Sequence, residues 1–410
     1  MHLLPLKHIA IIALLVLFQG LCFPQQASAQ SLEQHAAEQL KSAGFEEIRV
    51  IRQGPEVVCT IERGLYRSPD ADLRRASQLL KDVFGESTPL RIILLEQRQP
   101  MYQLKLGATN QEEPMNNSIN RIGFPEAVEL TWADRNDFRP VKKEPVKRPV
   151  YSGVSLVLYP QLTLQNMYFD HIYEKQLNLA PALYYSGWQG MLITAQVIFP
   201  IVNELNSPEN SIRPGFVTLS QRIILPHRNQ LKLTAGNFNR NRYGLDVKWR
   251  KYFGNSRWSL SANMGLTGKS FFYNNYWNQG SLTQLSWNVK ASYYLPVYQL
   301  RADLLGGQFL AGDKGFRMDV YRHFGEITIG VYATYTGHNP NGGFHFAFPL
   351  DPFKRNHPHR VRVMLPAYFD MEYSARNEFV YNRYYETSPD ENRSGQDINT
   401  QHLKSQFNNP

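Results

Sequence analysis

The sequence predicts a mainly β protein, an antiparallel transmembrane β-barrel of about 12–16 strands preceded by a small α+β periplasmic domain. From residue 151 to residue 385, segments of about ten residues alternate apolar and polar side chains, separated by short runs rich in Gly, Asn, Asp and Pro. The first residues have the pattern of a secretion signal. No later stretch is apolar enough to be a transmembrane helix. The alternation is therefore the pattern expected when one strand face meets lipid and the other a polar lumen.

The N-terminus predicts export. Lys7 and His8 precede an apolar run over residues 9–18, and Ala27-Ser28-Ala29 supplies the small side chains that signal peptidase accepts. The run is about half the length that a membrane-spanning helix needs. Residues 1–29 are therefore predicted to be a cleaved signal peptide.

Cysteine usage limits the covalent cross-links that the chain can form. Cys22 lies in the predicted signal, and the bulky Leu21 before it disfavours a lipoprotein site. Removal of the signal leaves Cys59 as the only cysteine. A disulfide-stapled secreted fold is therefore excluded.

Residues 30–107 predict a small α+β domain. Apolar residues recur at helical spacing from Leu32 to Ala43 and stop at Gly44, a suitable C-cap. A second amphipathic helix follows Pro69 and ends at Gly85. Short strands are predicted at 50–52, 57–61, 90–95 and 102–106. A module of this size can fold alone around a modest core.

Two polar segments flank the alternating region. Residues 108–150 lack sustained periodicity and predict a linker, with a short extended piece near 128–132. Residues 386–410 predict a disordered polar tail. The formal charge of +9 is partly due to basic residues in the predicted linker at 108–150. Without a clustered basic groove with stacking aromatics, it does not predict nucleic-acid binding.

The strand pattern is clearest over residues 285–294, where Leu, Trp, Val, Ala and Tyr occupy alternate positions and Ser, Asn and Lys fill most of the others. A soluble sandwich or a soluble barrel also alternates, because one face packs on a core. The predicted signal peptide favours the membrane alternative. Strands are predicted near 153–165, 177–187, 190–199, 215–225, 229–238, 243–253, 257–267, 282–295, 298–306, 314–324, 326–336, 342–350, 360–366 and 368–376. An even number is expected for a bacterial barrel.

A Gly-rich segment carries a resemblance to a known family. Residues 306–315 read GGQFLAGDKG and residues 318–324 read MDVYRHF, and the similarity continues through 330–336 and 343–350. This region resembles the YjbH-like outer-membrane proteins of exopolysaccharide and capsule biosynthesis. The layout of an α+β module and a barrel is also similar, although members of the family are often longer, with duplicated segments.

The resemblance implies a non-enzymatic role in the biosynthesis, export or assembly of an extracellular polysaccharide. The predicted signal and barrel predict the outer membrane of a Gram-negative bacterium. The N-terminal domain is predicted to lie in the periplasm, because its helices and strands need water and cannot lie in hydrocarbon. The implied partners are outer-membrane lipid, the polysaccharide and other export or assembly proteins. The family motif includes Gly312, Asp313 and Arg322.

Charged residues on the polar phase of the strands are candidates to line the lumen and contact a polysaccharide. They are Asp246, Lys248, Arg250, Lys290, Arg301, Asp303, Arg317 and Asp319. Such groups can hydrogen-bond sugar hydroxyls and attract carboxylated sugars. The alternative, favoured for any single residue, is that they only keep the interior hydrated and paired.

Catalysis is not predicted, because no Gly-x-Ser-x-Gly elbow is present and no other nucleophile, base and orienting group are recognisable. His323 and His345 fit a polar interior. His357 and His359, near Asp351, have the alternation of a metal pair, but without a third ligand a solvated turn is favoured. No catalytic, cofactor-binding or metal residue is therefore predicted. A general solute porin or a surface adhesin is the alternative function.

Overall fold

The computed structural model describes residues 31–107, 128–146, 153–166, 173–204, 210–253, 257–273, 276–355, 361–375, 383–390 and 399–408. These residues form a five-stranded sheet and a fifteen-stranded sheet, so the chain is mainly β. None of the described helices is long and apolar enough to cross a membrane. The predicted signal peptide, and the predicted turn with His357 and His359, lie outside the described residues.

The five-stranded sheet and three helices form the N-terminal domain. Its elements are α1 (Leu32–Ala43), β1 (Glu46–Gln53), β2 (Glu56–Glu62), α2 (Pro69–Phe84), β3 (Leu90–Glu96), β4 (Gln99–Leu106), β5 (Val128–Trp132) and α3 (Arg135–Phe138). The strand order follows the sequence; β2 and β3 are parallel, and the other neighbours are antiparallel. Helix α2 is the crossover that the parallel pair requires.

Both predicted helices are confirmed, and local chemistry explains their ends. The Ser31 side chain accepts a 3.2 Å hydrogen bond from the amide of Gln34 at the start of α1. Gly44 ends α1 at φ 105° and Gly85 ends α2 at φ 92°, a region that favours glycine. The helices bury residues such as Leu40 against the sheet.

The domain extends beyond the predicted boundary at residue 107. Strand β5 pairs with β4, which confirms the extended piece predicted near 128–132 but places it in the domain rather than in a linker. Helix α3 continues this edge, with Phe138 buried. The short length of β5 and its separation from β4 by a polar stretch hid this pairing from the sequence.

The large sheet contains the remaining strands. They are β6 (Val154–Asn166), β7 (Tyr173–Tyr185), β8 (Met191–Asn203), β9 (Arg213–Leu225), β10 (Asn229–Phe238), β11 (Arg242–Phe253), β12 (Trp258–Tyr273), β13 (Tyr276–Gln279), β14 (Gln284–Leu295), β15 (Leu300–Gln308), β16 (Lys314–Phe324), β17 (Ile327–Thr336), β18 (Asn339–Pro349), β19 (Val361–Met364) and β20 (Tyr368–Ser374). Each predicted strand segment corresponds to one of these strands. The short β13, which pairs only with β12, was not predicted.

The two ends of the large sheet belong to neighbouring segments of the chain. β19 pairs in parallel with β6, and β20 pairs antiparallel with β18. Only residues 365–367 separate β19 from β20, so the sheet must curl to bring its edges together. Among the described strands no ladder joins β6 directly to β18 or β20, so the sheet is not a closed barrel, and its fifteen strands are not the even number expected.

The C-terminal segment is ordered where the structure describes it, contrary to the predicted disordered tail. Helix α4 (Thr400–Asn408) packs against α2 and β5, and its Leu403 is buried in the core of the N-terminal domain. Tyr385 and Thr387 are also buried. A few buried side chains suffice to anchor this polar segment, and composition alone does not reveal them.

Candidate functional site

The large sheet has an apolar exposed face and a polar buried face, here called the outer face and the inner face. Along β17, Ile327, Ile329 and Val331 are exposed, whereas Thr328 and Thr334 are buried. The same arrangement recurs across the sheet, with exposed Leu, Val, Phe and Trp side chains on most strands. A soluble sandwich has the reverse distribution, because its buried face is the apolar one.

All eight charged candidates lie on the inner face. Asp246, Arg301, Asp303 and Asp319 are buried, and Lys248, Arg250, Lys290 and Arg317 are half-buried. The prediction of their strand phase is therefore confirmed. The neighbouring side chains show which of these charges are paired within the chain.

Two carboxylates face each other across β15 and β16. Asp303 lies directly opposite Asp319 in the register. Like charges opposite each other destabilise a sheet. Around Asp303 the compensation comes from Arg301 at 3.0 Å and Lys290 at 3.5 Å. These three candidates are thus brought together as one charged cluster.

Arg317 provides the compensation at Asp319. Its guanidinium lies 2.8 Å from Asp319 Oδ1 and 2.9 Å from Glu372 Oε2. It also sits over the ring of Tyr332, 4.0 Å from the centroid. His345 adds a contact of 3.0 Å between Nε2 and Asp319 Oδ1. The structural alternative, mutual pairing of the charges, therefore accounts for Arg317 and Asp319.

Several members of this network were not among the candidates. Tyr321 donates a 3.1 Å hydrogen bond to Asp319 Oδ1, and the Arg301 guanidinium lies 4.6 Å from its ring centroid, so Tyr321 links the two charged clusters. Glu372, in β20, pairs with Arg317. Tyr321 could have been suspected from the sequence, because it is an aromatic residue on the polar phase of a strand.

Glycines on the inner face make room for these tyrosines. Gly330 lies opposite Tyr321, and a Cβ there would fall 2.7 Å from the tyrosine ring. Gly343 lies opposite Tyr332, where the corresponding distance is 2.9 Å. Both glycines belong to the segment that carries the family resemblance. The absence of a side chain at these two positions leaves space for the tyrosine rings.

The C-terminal segment lies on the inner face. The Tyr385 ring stacks on Phe238 with a centroid separation of 5.2 Å. A Cβ placed on Gly265 would fall 1.5 Å from the Tyr385 hydroxyl. Glu386 donates its amide to Asn239 Oδ1 at 2.6 Å. These contacts are near the ends of β10 and β11 that lie away from the N-terminal domain.

Further contacts follow the segment along the inner face. Oδ2 of Asp390 accepts a 2.6 Å hydrogen bond from the hydroxyl of Tyr159 in β6. In α4, at the end of the sheet near the N-terminal domain, His402 Nδ1 lies 3.2 Å from the Tyr294 hydroxyl, and the His402 ring is 4.4 Å from that of His323. The described parts of the segment therefore run from one end of the sheet to the other.

The N-terminal domain contacts the end of the sheet that lies opposite the Tyr385–Phe238 contact. Glu96 pairs with Arg222 of β9 at 3.2 Å. Burial opposes ionisation of Glu96, but Arg222 and Arg63 lower its pKa to about 2, so it is charged at neutral pH. Trp132 stacks on Tyr252 of β11 with ring centroids 3.8 Å apart.

The same end carries a second group of contacts. Arg67 pairs with Glu326, in the turn between β16 and β17. Arg362 of β19 pairs with Glu46 of β1 at 2.6 Å. The domain thus contacts strands from widely separated parts of the large sheet.

The family-motif residues lie apart from the charged network. Gly312, at φ 85°, donates its amide to the carbonyl of Phe309 in the turn between β15 and β16, and the carbonyl of Asp313 accepts from the amide of Phe309. Arg322 is exposed on the outer face, with its guanidinium 4.8 Å from the Phe324 ring centroid. Within the described part of the chain, no group of His, Cys, Asp and Glu is arranged to hold a metal ion.

Comparisons with known proteins bear on this region. A family model described as exopolysaccharide biosynthesis protein YbjH, of the YjbH family, matches residues 283–356, which contain β14 to β18. No curated protein matches the chain. Among solved structures, the chain is similar to OmpTdeltaL8, a loop L8 deletion mutant of OmpT, an outer membrane protein of Vibrio cholerae. That likeness has 6% identity and a TM-score of 0.26 and covers 47% of this chain and 85% of the other, so nothing further is inferred from it. The match over residues 283–356 confirms the resemblance predicted from the sequence and supports a YjbH-like family for this chain.

Proposed function

We propose that this chain is an outer-membrane protein of the β-barrel type, in which the consecutive strands β19 and β20 bring the two edges of the large sheet together. In this proposal it takes part in the biosynthesis, export or assembly of an extracellular polysaccharide. The family match over residues 283–356 supports the link to exopolysaccharide. In this proposal the chain is not an enzyme, and it works with other export or assembly proteins.

The observation that carries the membrane location is the reversal of polarity between the two sheet faces. Side chains such as Leu245, Trp287 and Val331 are exposed, and acids such as Asp246 and Asp303 are buried. An exposed apolar sheet surface of this extent in water would be an aggregation liability. In a bilayer it is the surface that lipid requires.

The N-terminal domain supports the proposed orientation. Its helix ends and its charged contacts, such as Glu96 with Arg222, need water or polar partners and cannot lie in hydrocarbon. With export directed by the predicted signal, the domain is in the periplasm and the turn at Gly312 is on the extracellular side.

The contents of the inner face favour an accessory or gated role over a freely open porin. Tyr385, Asp390 and His402 of the C-terminal segment contact the inner face at points along its length. A chain that fills its own lumen is a poor passive channel for small solutes. The contacts of the N-terminal domain at one end add to this obstruction.

The test is deletion of the gene in its native host, with complementation by the full chain. The expected result is loss of most of the secreted polysaccharide with unchanged uptake of small solutes, and recovery of the protein with the outer membrane as a heat-modifiable species. Normal polysaccharide together with reduced solute uptake would instead establish the porin. Recovery in the soluble periplasm would contradict the membrane location.

Accessibility tests the orientation in the same strains. A single cysteine introduced at Glu86, which is exposed on the N-terminal domain, should react with an impermeant thiol reagent only after the outer membrane is permeabilised. A matched cysteine at Tyr276, exposed on the β12–β13 hairpin, should react on intact cells. The reverse pattern would invert the proposed topology.

A further inference from the structure

The outer face carries a depression across β14, β15 and β16, of about 650 Å³. Ala291 and Gly306 line it, and because their side chains are minimal the surface is recessed there. Trp287, Leu304 and Phe316 line it as well. The depression lies within the residues matched by the family model.

The lining of the depression is apolar and exposed. Trp287, Leu304 and Phe316 are 40%, 56% and 53% exposed. In a bilayer, a recess in the protein surface loses van der Waals contacts unless a chain of matching shape fills it. An acyl chain provides such a filling and brings no polar group that would need a partner.

One basic residue lies at the end of this recess. Lys314, the first residue of β16, also lines it and is exposed. It lies at the end of the sheet away from the N-terminal domain, because β16 runs from Lys314 towards the turn that carries Glu326, and Arg67 contacts that turn. A cation beside an apolar recess matches the anionic headgroup and acyl chain of a charged lipid.

We infer that this depression binds one acyl chain of a phosphate-bearing lipid of the outer leaflet, with the phosphate against the ammonium group of Lys314. The inference rests on the proposed outer-membrane location and orientation. The inference goes beyond that location and orientation, because it assigns a lipid to one defined site on the outer face. Elsewhere on that face, lipid would solvate the surface without a specific site.

Glycine geometry supplies a clean variant. A Cβ on Gly306 would meet no atom closer than the Gly315 carbonyl oxygen at 3.9 Å, so Gly306→Leu can fill the depression without moving the backbone. The neighbouring Gly307 is unsuitable, because its Cβ would fall 2.2 Å from the Trp287 carbonyl oxygen. Lys314→Gln removes the charge and leaves the recess intact.

The experiment is native mass spectrometry of the full mature chain purified in detergent and titrated with diphosphoryl lipid A, with the dephosphorylated lipid, or with inorganic phosphate. We expect one retained diphosphoryl lipid per chain, and no retention of inorganic phosphate alone. Retention should fall at least fivefold in Gly306→Leu and in Lys314→Gln. Ala333→Leu, exposed on the outer face of β17, and Lys269→Gln, exposed in β12, are the matched controls and should retain the lipid.

The outcomes separate this inference from the proposed function. Equal retention by wild type and Gly306→Leu, with both shown to be folded by heat-modifiability, would overturn the acyl-chain site. Equal retention of phosphorylated and dephosphorylated lipid would overturn the phosphate contact. Neither result depends on polysaccharide secretion, and a chain recovered in the periplasm would refute the membrane location itself.

Discussion

The hydroxyl group of Tyr385 donates a 2.6 Å hydrogen bond to Oδ2 of Asp246, which ties the C-terminal segment to a buried acid of β11. The same oxygen accepts a 2.9 Å hydrogen bond from Asn263 Nδ2. A buried carboxylate requires such donors, because burying it without partners is costly. The C-terminal segment is thus part of the polar network of the inner face.

Tyr385→Phe should loosen the C-terminal segment without dissolving the sheet. Loss of the hydrogen bond leaves Asp246 with fewer donors, a cost of about 1–3 kcal/mol. Hydrogen exchange of residues 383–390 in the detergent-solubilised protein should become faster. Tyr276→Phe, on a side chain that is 77% exposed, is the control and should leave exchange there unchanged.

Gly265→Leu should displace the segment more completely. A Cβ at this glycine would fall 1.5 Å from the Tyr385 hydroxyl, so the ring and the side chain cannot coexist. We expect Gly265→Leu to give a higher ion conductance in planar bilayers than wild type does. A truncated variant that ends before residue 383 should show the same increase. Conductance equal to that of wild type in both variants would show that the segment does not block the lumen. Ala333→Leu, on the outer face, is the matched control.

Arg317 and Asp319 should behave as a coupled pair. Arg317→Gln removes the principal cation from a carboxylate that faces Asp303, and should lower the free energy of unfolding by about 3–5 kcal/mol. Adding Asp319→Asn should recover part of this loss, because it also removes the repulsion between the two acids. Urea unfolding followed by tryptophan fluorescence measures the cycle. Strictly additive losses would contradict the coupling, and Lys269→Gln serves as a surface control.

The N-terminal domain should lose stability as the pH rises from about 5 to about 8. Burial raises the pKa of Glu62 to about 8 and that of Asp72 to about 7. In this window the folded domain holds protons that the unfolded chain has released, so unfolding becomes easier with increasing pH. Glu62→Gln should flatten the dependence and stabilise the domain at pH 8.

Cys59 provides the measurement, because it is fully buried and burial raises the pKa of its thiol. Its labelling rate in the native protein, divided by the rate in urea at the same pH, reports opening of the domain. Glu86→Gln, at an exposed acid, is the control. An unchanged pH slope in Glu62→Gln would show that Glu62 is not the responsible group.

The sequence was sufficient for every described strand of the large sheet except the short β13, and for the phase of these strands, because period-two alternation is a local property of each segment. It placed Asp246 and Arg317 on the inner face for this reason. It missed the pairing of β5 with β4 and the burial of Tyr385, since both depend on contacts between distant segments. Arg322 is charged but lies among apolar side chains on the outer face. Only the alternation along β16 indicates that Arg322 and Arg317 are on opposite faces of the sheet. Partners such as Glu372 and Tyr321 could be identified only once the register was known.

The large sheet can be completed only after β19 and β20 have been synthesised, because these strands pair with β6 and β18. Val361 lies beside Val154, so the first strand of the large sheet pairs with a strand that is synthesised after all the strands from β7 to β18. Until then β6 and β18 keep open edges, which are the sites where sheets join wrong partners. Contacts so distant in sequence form slowly. Biogenesis of this protein should therefore depend on factors that shield those edges during delivery, and the C-terminal segment must take its place before or while the edges meet.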